Sequence, residues 1–207
     1  MAWRGRQLRR PIRQYAGKVS QRSWRLAAYH GRQLHRPIRR YADKFTGTAT
    51  AVPARPATGH VLASWAGALI AIGALGLLTE ATHVPLMVAS FGASCVLLFG
   101  YPESHLSQPR NTIGGHLIAA IVGIAAVAAF GDHWSAMAIA VATAIALMKL
   151  TRTVHPPAGS TAIIAVHLHP DLSFLVLPVL SGAALLVVLA ALYNNVIEHR
   201  RYPLYWW

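Results

Sequence analysis

From residue 61 onward the chain alternates between apolar runs and short polar words. Six runs stand out, at about 61–79, 85–101, 112–130, 134–150, 156–168 and 172–197. At about 1.5 Å per helical residue, the first, third, fourth and sixth are long enough to cross a hydrocarbon layer of about 30 Å. The second and fifth are short. Each short run opens at proline (Pro85; Pro156-Pro157) and carries a small triplet, Gly92-Ala93-Ser94 or Gly159-Ser160-Thr161. The order is therefore long-short-long, written twice, and interrupted short segments at matching places in two halves mark a binding site in membrane transporters. The pattern predicts an all-α, polytopic membrane protein with four long and two short helices.

Charge placement predicts that the short segments cross too. With six crossings, Arg110, Lys149, Arg152, Arg200 and Arg201 fall on one side, and the loops 80–84, 131–133 and 169–171 on the other hold no Lys or Arg. Re-entrant short segments would divide the cations against the positive-inside rule. Three crossings per half turn the second half over, so the expectation is an inverted 3+3 repeat with both termini cytoplasmic, in a bacterial inner membrane. Small residues recur every four positions at Ala63/Gly67/Ala71, Gly115/Ala119/Gly123, Ala136/Ala140/Ala144 and Ala138/Ala142/Ala146. Such seams let helices approach closely, within one chain or between the copies of a homo-oligomer.

The sharpest punctuation is Thr151-Arg-Thr-Val-His-Pro-Pro-Ala-Gly-Ser-Thr161. Proline disfavours the α conformation of its predecessor and has no N–H, so a helix is expected to stop near Thr153. A new one is expected to start at Pro156 or Pro157, where proline suits the first helical position. Free backbone N–H groups beside two hydroxyls, a His and an Arg would make that first turn an anion cradle.

Composition agrees with a bilayer: 55% hydrophobic and 12% charged residues are too apolar for an ordinary soluble domain of this length. The net charge of +13 is confined to the arm, residues 1–58, which hold fourteen Lys/Arg against the single acid Asp43. There Gly5-Arg-Gln-Leu-Arg-Arg-Pro-Ile-Arg-Gln-Tyr-Ala-Gly-Lys18 returns 26 residues later as Gly31-Arg-Gln-Leu-His-Arg-Pro-Ile-Arg-Arg-Tyr-Ala-Asp-Lys44. Leu8, Ile12, Tyr15 and their copies form an apolar stripe on an Arg-rich helix, which suits anionic lipid headgroups better than nucleic acid. A disordered basic tail is the alternative. The division expected is this arm with its linker (1–58), a transmembrane domain (59–198) and an aromatic tail (199–207) whose Tyr202-Pro-Leu-Tyr-Trp-Trp207 would anchor at headgroups. Cys95 lies alone in an apolar run and reads as a buried small hydrophobe.

Five words, Phe91-Gly-Ala-Ser-Cys-Val-Leu-Leu-Phe-Gly100, Pro102-Glu-Ser104, Gln108-Pro-Arg-Asn111, Gly114-Gly-His116 and His155-Pro-Pro-Ala-Gly-Ser-Thr161, occur in an order that resembles the HPP family of integral membrane proteins from about residue 60 to 198. The resemblance implies a multi-spanning protein, some of whose plant and cyanobacterial relatives are linked to nitrite transport.

A small oxyanion needs donors with few acids nearby. The candidates for binding it are Ser94, Arg110, Asn111, His116, Arg152, His155, Gly159, Ser160 and Thr161, with Lys149 on the approach. Each has a plainer role: the cations set topology, the hydroxyls pack helices, His155 caps a break and Asn111 caps a helix. Glu103 is placed to pair with Arg110 or Arg152. Neutral His155 would also be able to pass a proton and couple uptake to H⁺.

His167-Leu-His169-Pro-Asp171, with His83 and His133, offers a second constellation, and with it a divalent metal or cation permease as the alternative. A scaffold that recruits partners through the basic arm is the third reading. No nucleophile–base set or catalytic metal signature points to an enzyme, and no cofactor is expected.

Overall fold

The computed structural model describes residues 40–45 and 52–207. The chain divides into units Met1–Arg55 and Pro56–Trp207. In the first unit the described residues are an exposed turn at 40–45, 3₁₀-helical over Asp43–Phe45 with the Tyr41 and Phe45 rings edge to face at 5.2 Å, and the exposed stretch 52–55. The remainder of the predicted amphipathic repeat lies outside the described residues.

The second unit is all-helical, as the hydropathy pattern predicts. Four long apolar helices are α1 (Thr58–Thr82), α3 (Pro109–Phe130), α4 (Trp134–Thr151) and α6 (Leu175–Val196). Two short ones are α2 (Ser90–Gly100) and α5 (Ala158–Leu168). Eleven residues at about 1.5 Å each give a short helix only about half the length a span needs. Large apolar side chains such as Trp65, Leu69 and Leu77 stand exposed along α1, as they do on a lipid-facing helix.

Local chemistry accounts for most of the ends. Pro109 opens α3 at its first turn. Residue 151 ends α4, where Arg152 takes a left-handed φ of 59° and the N–H groups of Arg152 and Thr153 return to the Lys149 and Met148 carbonyls. This is a Schellman closure, two residues ahead of the proline pair. Helix α2 starts at Ser90 rather than Pro85, leaving 83–88 as coil. In α6 the expected single run is broken by a kink at Pro178: Leu177 is extended (φ −125°, ψ 115°) because proline disfavours the α conformation in its predecessor.

The core is in two main parts. One, with Leu75, Phe91, Leu98, Phe99 and Leu186, belongs to α1, α2 and α6. The other, with Ala119, Ala140, Ala144, Met148 and Ala162, belongs to α3, α4 and α5. The packed pairs are α1 with α2 and α6, α4 with α5 and α3, α3 with α5 and α6, α2 with α6, and more lightly α2 with α5. Exchanging α1–α3 for α4–α6 returns the same set of pairs.

Three of the small-residue seams lie inside the chain. Added as a Cβ, Gly67 would meet Phe99 and Tyr193, and Gly123 would meet the Ala165 Cβ at 2.6 Å. Ala136, Ala140 and Ala144 are buried, whereas Ala138, Ala142 and Ala146 face outward.

Candidate functional site

Where α2, α3 and α5 converge, a cluster of polar side chains is shut inside the apolar bundle. Ser94, His116, His155 and Thr161 are fully buried and Ser90 is 2% exposed. Ser94 Oγ lies 2.9 Å from His116 Nε2 and 2.9 Å from His155 Nε2. Thr161 Oγ1 lies 2.8 Å from His116 Nδ1 and 2.8 Å from Ser90 Oγ. His155 Nδ1 reaches the Leu106 carbonyl at 2.7 Å, on the 3₁₀ turn His105–Ser107.

The hydrogens of this chain are set from one end. A carbonyl only accepts, so His155 Nδ1 carries the hydrogen and, in the neutral ring, Nε2 is bare. Ser94 therefore donates to His155 and accepts from His116 Nε2–H. His116 Nδ1 is then bare and accepts from Thr161, whose oxygen accepts from Ser90. The result is one unbroken direction from the Ser90 hydroxyl to the Leu106 carbonyl.

Ser94 and Thr161 close the two small triplets, and they hold opposite nitrogens of the same imidazole. Ser90 pairs with Thr161 while Ser94 pairs with His155, so the first turns of α2 and α5 pass each other antiparallel. A close approach is required behind His155: a Cβ on Gly115 would sit 2.7 Å from the His155 Cβ and 3.0 Å from the Thr153 carbonyl oxygen.

The predicted residues divide sharply. Ser94, His116, His155 and Thr161 meet in the cluster; Gly159 is half-buried with nothing near its Cβ position, and Ser160 is exposed. Arg110 is spent on the Thr151 carbonyl at 2.7 Å, which caps the end of α4. Arg152, the αL residue, and Lys149 are exposed. Asn111 lies within the first turn of α3 instead of capping it, and donates to the Val154 carbonyl at 2.9 Å. Among the described residues, Glu103 joins no ion pair with Arg110 or Arg152.

The backbone cradle expected at α5 is absent. The N–H groups of Ala158, Gly159 and Ser160 are bonded to the carbonyls of His155, Pro156 and Pro157. The turn through the two prolines satisfies these donors locally, leaving the hydroxyls and imidazoles as the site's chemistry.

Ser90 was not anticipated from the sequence, although its place one turn before Ser94 on a helix puts both on one face. Arg200 was also missed as an organiser: its guanidinium donates to the Phe99 carbonyl and Asn194 Oδ1 at 3.1 and 3.0 Å, closing the end of α2 against α6. The aromatic tail divides: Trp206 and Trp207 stay exposed, whereas Tyr202 turns inward. Tyr202 is 1% exposed and donates to the Ser107 carbonyl at 2.9 Å, and the Leu204 N–H bonds Gln108 Oε1 at 2.7 Å. The tail thus straps the turn whose Leu106 carbonyl orients His155.

The outer histidines are arranged otherwise than predicted. His167 and His169 lie 3.8 and 3.6 Å from Asp132, and Asp171 turns away to bond the backbone and hydroxyl of Ser173. Those two bonds, side chain first, hold the Asp171 carboxyl below its ordinary value. Among the described residues, no three His, Cys, Asp or Glu are placed to hold a metal ion. A cleft of about 790 Å³ nearby is lined mainly by apolar residues, including Val88, Met137, Ile164 and Phe174, and reaches Ala89, the neighbour of Ser90.

A helical bundle of apolar spans with a sealed polar centre defines an integral, multi-pass membrane protein. The chain belongs to the HPP family, whose transmembrane region matches residues 53–203. It is 41% identical over 133 residues to a transmembrane protein of Dictyostelium discoideum, covering 60% of this chain and 47% of that one. A second Dictyostelium discoideum transmembrane protein is 37% identical over 156 residues, covering 70% of this chain and 50% of the relative. The chain therefore spans about half the length of these curated relatives. No solved structure matches it.

Proposed function

We propose that the bundle is a transporter or channel for a small inorganic anion, with nitrite the first candidate. The observation that carries this reading is the sign of the interior. All six acids of the chain, Asp43, Glu80, Glu103, Asp132, Asp171 and Glu198, are exposed, while the buried polar groups are hydroxyls, imidazoles and amides. A cation path through a bilayer needs carboxylates or rings of carbonyls. An anion needs donors, and Ser94, Ser90, Thr161 and the two histidines supply them. Every donor of the cluster is engaged, so an anion would enter by replacing an internal bond, such as Thr161 to His116 or His116 to Ser94. The apolar cleft ending at Ala89 supplies an approach from one side. The exchange symmetry of the helix pairs supports the inverted 3+3 arrangement, in which two half-sites close on one imidazole, and the grouping of Lys and Arg supports cytoplasmic termini.

The test is flux into proteoliposomes holding the full chain, with nitrite, nitrate, chloride and formate compared against a divalent cation. Anion entry that His116→Ala abolishes, with no cation entry, is expected. Cation flux, or anion flux indifferent to His116 and Ser94, would defeat the reading. A scaffold working through the basic arm would show no flux at all.

A further inference from the structure

We propose, resting on the anion-site reading above, that His155 is a proton-binding site whose two protonation states are both accommodated by Ser94, so that a proton crosses with each anion. The Ser94 hydroxyl has a choice. In the neutral cluster it donates to the bare Nε2 of His155 at 2.9 Å, and its oxygen also stands 3.3 Å from the Ser90 carbonyl. When a proton joins the Nε2 lone pair, one N–H bond forms and the hydrogen bond from Ser94 breaks. The hydroxyl then rotates to the Ser90 carbonyl, and the freed lone pair of Oγ accepts the new Nε2–H. The second lone pair still accepts from His116 Nε2–H, and His155 Nδ1–H still donates to Leu106. Every polar group is satisfied before and after.

His116 has no such second state. A proton on its Nδ1 would turn the Thr161 hydroxyl toward Ser90 Oγ, whose described partner is that same Thr161 oxygen, and the Ser90 hydrogen would be left without an acceptor. The extra proton therefore belongs on His155.

The surroundings leave the charge for the anion to neutralise. The ring faces Ser94 from α2, His116 from α3, the Leu106 carbonyl from the 3₁₀ turn and, through His116, Thr161 from α5. No carboxylate, lysine or arginine bonds to either ring among the described residues; Lys149 and Arg152 are exposed, and Cys95 packs in the α1–α2–α6 core. An imidazolium without a counterion inside a bilayer is costly, and so is a bare anion. Together they form a neutral pair. The proton comes from water or from the conjugate acid of the anion, and leaves with the anion on the far side.

The experiment loads liposomes holding the full chain with a pH-sensitive dye and clamps the membrane potential. Nitrite, nitrate, chloride and formate are then offered in separate runs, with empty liposomes correcting for permeation of the free acids. The interior should acidify by one proton per anion carried. Ser94→Ala, whatever its rate, should carry fewer protons per anion, since it deprives the charged ring of its acceptor. Anion entry without proton entry would overturn the inference while leaving the proposed function standing. If no anion moves, the proposed function fails, and ¹⁵N-histidine spectra decide the inference alone. His155, assigned with His155→Gln, should be protonated at Nδ1 only near about pH 8 and take its second proton, at Nε2, as the pH is brought down toward about 3, with Ser94→Ala requiring more acid. A single proton on His155 throughout that range, or His116 taking the second proton first, would overturn it.

Discussion

Two histidine pairs occupy this molecule under opposite conditions. His116 and His155 are sealed among helices, ring centres 5.0 Å apart, and each nitrogen has a partner at 2.7 to 2.9 Å. His167 and His169 stand at the end of α5, half or more exposed, with Asp132 at 3.6 to 3.8 Å. In the sealed pair no water can replace a lost hydrogen bond, so one carbonyl decides the position of every hydrogen. In the outer pair water screens the charges and fills any vacancy, so the geometry commits the molecule to little. Buried imidazoles can thus specify a state, while exposed ones merely attend a carboxylate.

Substitutions should separate the two pairs by size of effect. His116→Ala removes the ring that links α2 to α5, leaves the Ser94 and Thr161 hydroxyls facing a void, and should cost about 3 kcal/mol or more in a detergent unfolding titration. Gly115→Ala, by forcing a methyl against the His155 Cβ and the Thr153 carbonyl, should cost about 2 kcal/mol in the same titration. Gly159→Ala, on the neighbouring motif but with open space at its Cβ position, should stay within about 0.5 kcal/mol of wild type. Asp132→Asn should be similarly mild, within about 0.5 kcal/mol, because the pairs it breaks are exposed; a cost matching His116→Ala would erase the contrast.

The smallest effect is electrostatic. The Asp171 carboxyl sits below its ordinary value, so its bonds to Ser173 add stability above the unfolded carboxyl range, and this is lost as the pH falls through the folded value. Ser173→Ala should bring the Asp171 titration, followed by carboxyl NMR shifts, up toward that of a free aspartate.

The hydropathy of residues 58–196 alone determined that the chain is a bundle of four long and two short helices, because a bilayer leaves a backbone few ways to satisfy itself. Proline placement likewise located the break after α4. The triplets and His155 were legible as a site because hydroxyls and imidazole are costly inside apolar runs and need a reason to be there. Only the tertiary structure decided which members of each motif face inward. Ser94 and Thr161 turn in while Gly159 and Ser160 do not, since helix rotation is set by partners on α3. Arg110 lies among the motif words and yet serves the end of α4, a neighbour that spacing along the chain does not reveal. His116 was legible as a candidate but its place between Ser94 and Thr161 was not, and Ser90 and the tail residue Tyr202 acquired their roles only in the fold: hydrogen-bond partners 22 to 95 positions apart become neighbours only after packing.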